Sequence, residues 1–153
     1  MTGREPKNSN DIFFVCSLIE HIARQTKNHR SVVVNALSRD KLQHIFKLAD
    51  IYHSENMDKV SDELIDACKI ETGHFDNVAA TNYSPPSIWD IGKVYKRLIM
   101  DIVNSRNTPD LIAVLIEVYN SWISRKIEDF NSSMYYENPD YIFQSYLTGD
   151  VLA

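Results

Sequence analysis

Apolar residues recur every three or four positions along most of this chain, a spacing typical of helices with one buried face. A clear example is the stripe formed by Ile91, Val94, Tyr95, Leu98 and Ile102. The sequence contains only four glycines, which disfavours β architectures built on many tight turns. Its 153 residues suffice for one domain with a hydrophobic core. We therefore expect an all-α fold, a single bundle-like domain of six or seven helices.

Helix start signals divide this single domain, which covers residues 1–153, into two parts. We expect a four-helix N-terminal part over 9–68 and a three-helix C-terminal part over 87–149. Between them, over 69–86, the helical periodicity fails, and connections of this length are uncommon unless they are functional or join two units. The predicted helix-capping residues are Ser9 or Asn10, Ser31, Ser38, Asn56, Ser87, Thr108 and Asn138.

The segment NYSPPSIWDIGKVYKRLI, residues 82–99, marks a helix start most plainly. Ser87 precedes the periodic residues and Asp90 follows three positions later, which is a variant of the capping box. Gly92 then falls inside the helix, where glycine costs about 1 kcal/mol relative to alanine. Close approach of another backbone would explain Gly92, and a ligand lying against the helix is the alternative.

A second segment, 109–130, is apolar around most of its circumference and predicts a helix at the centre of the bundle. We expect four of its residues to lie in the core: Leu115, Val118, Tyr119 and Trp122. Cys16 and Cys68 also fall at apolar-face positions of predicted helices, which suits a reduced protein with two buried thiols.

The charge balance argues against nucleic-acid binding. The chain has 16 basic and 21 acidic residues, a formal net charge of −5, whereas nucleic-acid binders usually carry a basic footprint. The one basic run, RQTKNHR at 24–30, fits a helix end, where the helix dipole favours cations. The segment 48–65 has the length of a helix-turn-helix, but its second helix is acidic. We expect no nucleic-acid partner.

No apolar run approaches the ~20 residues that cross a bilayer, and the first ten residues are polar rather than typical of a signal peptide. The sequence therefore predicts a cytoplasmic protein with no membrane partner.

The sequence contains no motif for catalysis or metal binding. None of the five histidines has a second histidine three or four positions away, and Asp50 with His53 fits a surface pair near a helix end. Glycine-rich phosphate loops are absent, and the two cysteines lie too far apart for a Cys-x-x-Cys zinc motif. We expect no catalytic residue, no metal and no cofactor, and the sequence favours a protein that is not an enzyme.

Two groups of residues are candidates for binding. Under the 69–86 connection, four side chains could converge on a small-molecule pocket: His74, Tyr83, Trp89 and Tyr95. Five aromatic residues cluster near the C-terminus: Tyr135, Tyr136, Tyr141, Phe143 and Tyr146. Aromatic residues in such a cluster can dock the last helix on its own bundle, form a protein interface or line a ligand pocket. All three interpretations stay open at this point.

The segment 11–65 opens with an aromatic–aliphatic helix that contains Phe13 and Phe14. It continues with a helix that contains Tyr52 and His53, followed by the acidic run 58–63. In these features it resembles a group of short bacterial helical proteins of unknown function. Some of those proteins are thought to be encoded beside toxin-like genes, so the resemblance implies a partner-binding or antitoxin-like role.

The leading hypothesis is a non-catalytic cytoplasmic protein-interaction module that binds a protein partner or forms a homodimer. The alternative is a small-molecule-binding protein or enzyme with its pocket under the 69–86 connection. A nucleic-acid-associated regulator is a third hypothesis, which the charge disfavours.

Overall fold

A computed structural model describes residues 4–150, with side chains from residue 7 onward, as one compact all-α domain. Over that range the chain forms nine α-helices and a 3-10 turn at Met134–Tyr136, and it forms no strand. The helices are α1 Arg4–Thr26, α2 Arg30–Lys47, α3 Ala49–His53, α4 Met57–Ala67, α5 Asn77–Ala80, α6 Ile88–Arg106, α7 Leu111–Tyr119, α8 Trp122–Ile127 and α9 Pro139–Thr148. The all-α prediction is confirmed.

Helices α1 and α6 form the centre of the bundle. Helix α1 packs against α2, α3, α4 and α6, and α6 also packs against α7 and α9. Because α1 belongs to the predicted N-terminal part and α6 to the C-terminal part, the two parts share one hydrophobic core. The apolar stripe of α6 from Ile91 to Ile102 faces this core, where Ile91, Tyr95 and Leu98 are fully buried.

The close contact between α1 and α6 explains Gly92. A Cβ atom at this position would collide with the Ser17 side chain of α1 and would lie 3.1 Å from the Ser17 Cα atom. Gly92 is itself buried, and the two helix backbones can approach this closely only because it has no side chain. The predicted approach of another backbone is therefore what the structure shows.

Several predicted helix boundaries are confirmed in atomic detail. The Asn56 side chain accepts hydrogen bonds from the backbone N–H groups of Asp58 and Lys59, and Asn138 accepts one from Asp140. Ser87 and Asp90 form the complete reciprocal capping box. Helix α2 has a kink at Ser38, where φ is 71°, so the predicted break falls at this residue. Helix α9 ends, as expected, at Gly149, where φ is 82°.

Four boundaries were predicted wrongly. Helix α2 begins at Arg30 and no side-chain hydrogen bond caps it, so the predicted cap Ser31 lies inside the helix. Helix α1 begins at Arg4 rather than after Ser9 or Asn10, since Pro6 is tolerated in a first turn whose N–H groups need no helical partner. The cap of α7 is Asp110 rather than Thr108, because the Asp110 carboxylate accepts the N–H of Ala113 at 3.1 Å. Residues 1–3 of the polar N-terminal segment lie outside the described range.

The fourth error is the single helix predicted over 109–130, which is divided into α7 and α8. At the division Asn120 Nδ2 donates to Ile116 O and Ser121 Oγ donates to Val118 O, at 2.9 and 2.7 Å. Such side-chain bonds to the preceding turn compete with continued helix. Asn120 also exchanges amide hydrogen bonds with Asn35 of α2, which holds the break against a neighbouring helix.

The predicted core is correct at three positions and partly correct at the fourth. Leu115, Val118 and Tyr119 are buried, whereas Trp122 is half-buried after the chain turns into α8. Cys16 is buried and Cys68 is half-buried, and both thiols are free. Burial raises the pKa of the Cys16 thiol to about 12. None of the helices between residues 4 and 150 is both long enough and apolar enough to cross a membrane.

The contact at Gly92 predicts the effect of a single methyl group. On an unobstructed helix, Gly→Ala would stabilise by about 1 kcal/mol. Here we expect Gly92→Ala to lower the free energy of unfolding by about 1–3 kcal/mol, because the added Cβ overpacks against Ser17. Urea denaturation of the wild type, Gly92→Ala, Ser17→Gly and the double variant measures the coupling. Equal or greater stability of Gly92→Ala would contradict the contact.

Candidate functional site

A buried ion pair joins α1 to the start of α2. The guanidinium of Arg30 donates two hydrogen bonds to the Glu20 carboxylate, from Nε at 2.8 Å and from Nη2 at 2.5 Å. Both side chains are almost completely buried. Arg24, one helical turn after Glu20, donates a third hydrogen bond to the same carboxylate at 2.8 Å. Glu20 therefore pairs with two arginines, one fully buried and one partly exposed.

A second buried carboxylate, Glu128, extends this network to the end of α8. It accepts the backbone N–H of Arg30 at 3.1 Å, and its other oxygen lies 2.5 Å from Nδ1 of His29. The Asn77 side chain bridges the two halves, since it accepts from Arg30 at 3.3 Å and donates to the Glu128 carbonyl at 2.9 Å. We call Glu20, Arg24, His29, Arg30, Asn77 and Glu128 the buried polar network.

The charges of the network compensate one another. Burial by itself would raise the pKa of Glu20, but the nearby charges and hydrogen bonds of Arg30 and Arg24 outweigh it and hold that pKa below its ordinary value. Glu20 is therefore ionised at neutral pH despite its burial. Two buried carboxylates face two arginines, so the network needs no external ion to balance it.

The 69–86 connection is fixed over this network by backbone and side-chain bonds. The N–H groups of Gly73 and Phe75 donate to the carbonyls of Thr26 and Lys27, at 2.7 and 2.8 Å. A Cβ on Gly73 would lie 2.7 Å from the Lys27 carbonyl, so only glycine allows the approach. Phe75 stacks on the His29 ring with the ring centroids 3.9 Å apart. The connection also contains the short helix α5, which its lack of periodicity did not predict.

The structure does not bring the four predicted pocket residues together. Tyr95 is fully buried in the core, where its ring stacks on Tyr119 and its hydroxyl lies 2.8 Å from Ser124 Oγ. Tyr83 is exposed on the connection. His74 and Trp89 line two different cavities, of about 330 and 370 Å³. The helical spacing already assigned Tyr95 to the apolar stripe of α6, which argues against a place in a pocket, whereas Trp89 lies near the exposed start of that helix.

The five C-terminal aromatic residues divide into two groups. Four are half-buried and pack against the hydrophobic core, which agrees with the docking interpretation among the three left open by the sequence: Tyr135, Tyr141, Phe143 and Tyr146. Tyr146 also donates a hydrogen bond to Glu117, a residue that pairs with Arg106. Tyr136 is different, since 69% of its surface is exposed and its ring meets Tyr135 edge-on at 5.0 Å.

Tyr136 lines a groove of about 450 Å³ between the first half of α6 and the segment that leads into α9. We call it the C-terminal groove. Its walls are formed by Pro86, Asp90, Lys93, Val94, Arg97 and Leu98 on one side, and by Tyr135, Tyr136, Glu137, Asn138, Pro139 and Ile142 on the other. The groove therefore combines an apolar floor with charged and aromatic rims, which is the composition of many protein-binding surfaces.

The buried polar network positions both walls of this groove through Arg24. The Arg24 guanidinium donates to the carbonyl of Pro86 at 2.7 Å, and Pro86 is part of the α6 wall. The same guanidinium lies 5.3 Å from the ring centroid of Phe130, which meets Tyr135 of the opposite wall at 5.7 Å. One arginine thus contacts, directly or through one aromatic ring, both sides of the site.

Within the described side chains, no group of three or more histidine, cysteine, aspartate or glutamate residues is placed to hold a metal ion. Comparison with protein-family models, with curated proteins and with solved structures found no match to this chain.

The buried ion pair predicts that the loss of one of its side chains destabilises the protein much more than the loss of one side chain from an exposed pair. We expect Arg30→Met to lower the free energy of unfolding by about 3–5 kcal/mol, because it leaves the Glu20 carboxylate buried without its principal partner. The matched control is Arg39→Met, which removes an exposed pair with Asp110 and should cost less than about 1 kcal/mol. Chemical denaturation of both variants checks the difference, and equal losses would contradict the role of Arg30.

The lowered pKa of Glu20 predicts acid sensitivity. A carboxyl whose pKa is lower in the folded state than in the unfolded state stabilises the protein at neutral pH. That contribution is lost as the pH falls below the ordinary value of 4.5 toward the lowered folded-state value. We expect Glu20→Gln to be less stable at pH 7 and to show a shallower loss of stability below pH 4.5 than the wild type. Denaturation at a series of pH values measures both slopes, and parallel curves would exclude Glu20 as the source.

Proposed function

We propose that this protein is a non-catalytic, cytoplasmic protein-interaction module that holds a segment of a partner protein in the C-terminal groove. The observation that carries the proposal is Tyr136, a large aromatic side chain held at the rim of a groove with most of its surface exposed. Tyrosine is enriched among the residues that dominate the binding energy of protein interfaces.

The shape of the groove supports an extended segment as the occupant. Apolar side chains of Val94, Leu98 and Ile142 line it, and Pro86 and Pro139 stand on opposite walls. Both walls begin at well-defined helix starts, since Ser87 caps α6 and Asn138 caps α9. A site formed on helix starts is pre-organised, so little conformational entropy is lost there on binding.

An antitoxin-like role, which the resemblance of the first part of the chain implies, would be one form of this binding. A pocket for small molecules under the 69–86 connection is supported less well, because Tyr95 is buried in the core and His74 and Trp89 line two different cavities.

The proposal is tested by a single substitution with a closely matched control. Tyr136→Ala removes the exposed ring from the groove, and Tyr83→Ala removes a ring that is equally exposed, at 67%, but lies outside it. We expect Tyr136→Ala to lose the partner and Tyr83→Ala to retain it, because only the first ring contacts the bound segment. The measurement is quantitative capture from source cells by wild type and both variants, read by mass spectrometry.

Equal capture of the same proteins by all three forms would contradict the proposal. Thermal unfolding of both variants controls for folding, because neither exposed ring belongs to the hydrophobic core. Light-scattering mass determination separates a distinct partner from a second copy of this chain. A dimer that Tyr136→Ala dissociates would replace the proposed partner with the protein itself.

A further inference from the structure

Arg97 stands apart from the other arginines of the protein. The side chains of six arginines are described. Five of them form ion pairs with carboxylates, and two of these five, Arg24 and Arg30, pair with the same carboxylate, that of Glu20. For Arg97, no carboxylate oxygen among the described side chains lies within 4.0 Å. Arg97 is exposed and lines the C-terminal groove, so its planar guanidinium faces the site with its donors unused.

Lys93 reinforces this charge from one helical turn earlier. It lines the same wall of the groove as Arg97 and likewise forms no ion pair with a described carboxylate. Lys96 lies next to both on α6, and burial, followed by repulsion from Arg97 and Lys93, lowers the pKa of its ammonium. The three cations are therefore close enough to repel one another, and an anion placed among them would relieve that repulsion.

The carboxylates of the groove are, by contrast, already engaged within the protein. Asp90 accepts the backbone N–H of Ser87 in the capping box at 3.0 Å. Glu137 accepts the hydroxyl of Ser133 at 2.6 Å. Asp101 and Asp140 do not line the groove; burial, followed by repulsion from Asp140, raises the pKa of Asp101 against the opposing attraction of Arg97. Lys93 and Arg97 are thus the groove's charged groups without a close partner among the described side chains, whereas both lining carboxylates accept hydrogen bonds within the protein.

We propose that the segment bound in the C-terminal groove is acidic and that its aspartate or glutamate side chains pair with Arg97 and Lys93. This inference rests on the proposed function, because it names the chemistry of the partner for the same site. A carboxylate can take two parallel hydrogen bonds from the Arg97 fork while Lys93 supplies a second point charge. Apolar residues of the segment, between its acidic residues, pack against Val94 and Leu98 on the floor of the groove.

Because the protein has a net charge of −5, the groove can favour an acidic segment only at short range. At long range the protein repels an acidic partner, so attraction acts only once the segment is within about a Debye length, ~8 Å at physiological salt. Binding should therefore weaken with added salt, since the pairs at the groove are exposed. A basic segment would be repelled by the like charges of Arg97 and Lys93 and would therefore be excluded from the groove.

A random peptide library displayed on phage provides the probe. The full-length protein is the target, and the selected peptides are then synthesised and titrated against variants by fluorescence anisotropy. We expect enrichment of peptides with two or more Asp or Glu residues beside apolar ones. For these peptides Lys93→Gln/Arg97→Gln should weaken binding about tenfold, the loss of two exposed charge pairs.

The matched control is Lys41→Gln/Lys47→Gln, which removes two positive charges from α2, where neither lysine forms an ion pair with a described carboxylate and neither lines the groove. The affinity of this control variant for the selected peptides should stay within about twofold of the wild type, because the two lysines lie away from the groove. Equal losses for both double variants would overturn the inference, since the effect would then follow net charge rather than contact. Melting temperatures close to the wild type show that both variants fold.

The same experiment separates this inference from the function on which it rests. Peptides that lose binding with Tyr136→Ala but are neutral or basic would confirm the groove as a protein-binding site and overturn its preference for acids. If no selected peptide depends on Tyr136, the proposed function itself fails, and the inference fails with it.

Discussion

The pairing of Arg30 with Glu20 is the interaction on which the rest of this structure depends. Two ions are taken out of water at the centre of a small bundle, and the cost of doing so is offset only while their geometry is maintained. A buried guanidinium accepts few alternative arrangements, because every donor must find an oxygen. We infer that the pair favours one packing of α1 against α2, because displacement of either ion would leave the other buried without its partner.

The geometry that the buried pair requires also constrains parts of the chain that lie nearer the surface. Asn77 and Glu128 complete the shell around Arg30, so the connection and the end of α8 must both come to the same place. Arg24, paired with the same Glu20, then reaches Pro86 and the Phe130 ring. The walls of the C-terminal groove are thus tied to the most constrained point of the interior. The groove is therefore supported from within the protein, as the binding site that we propose would require.

The parts of the fold that could be predicted from sequence are those set by local physics. The capping box of Ser87 and Asp90 involves neighbours in the chain, and the apolar stripe of α6 requires only helical geometry. Gly92 could be interpreted for the same reason, since a glycine inside a good helix indicates close packing even when the partner is unknown. The break at Asn120 was missed because the local bonds of Asn120 and Ser121 are held by the contact of Asn120 with Asn35, which is 85 residues away in sequence.

The buried polar network was missed for a related reason. The run at 24–30 looks like the basic end of a solvated helix, and nothing local distinguishes Arg30, which is fully buried, from Lys27, which is exposed. Glu20 gave a weak signal, as an acid on α1 amid buried apolar residues, but only the fold shows that it faces two arginines. The groove is harder still to foresee. Its charge is defined by which groups remain unpaired after folding, so Arg97 becomes distinctive only when the partners of the other described arginines are known. The site that we propose for an acidic partner in this acidic protein would depend on the charges left unpaired at the surface rather than on their sum.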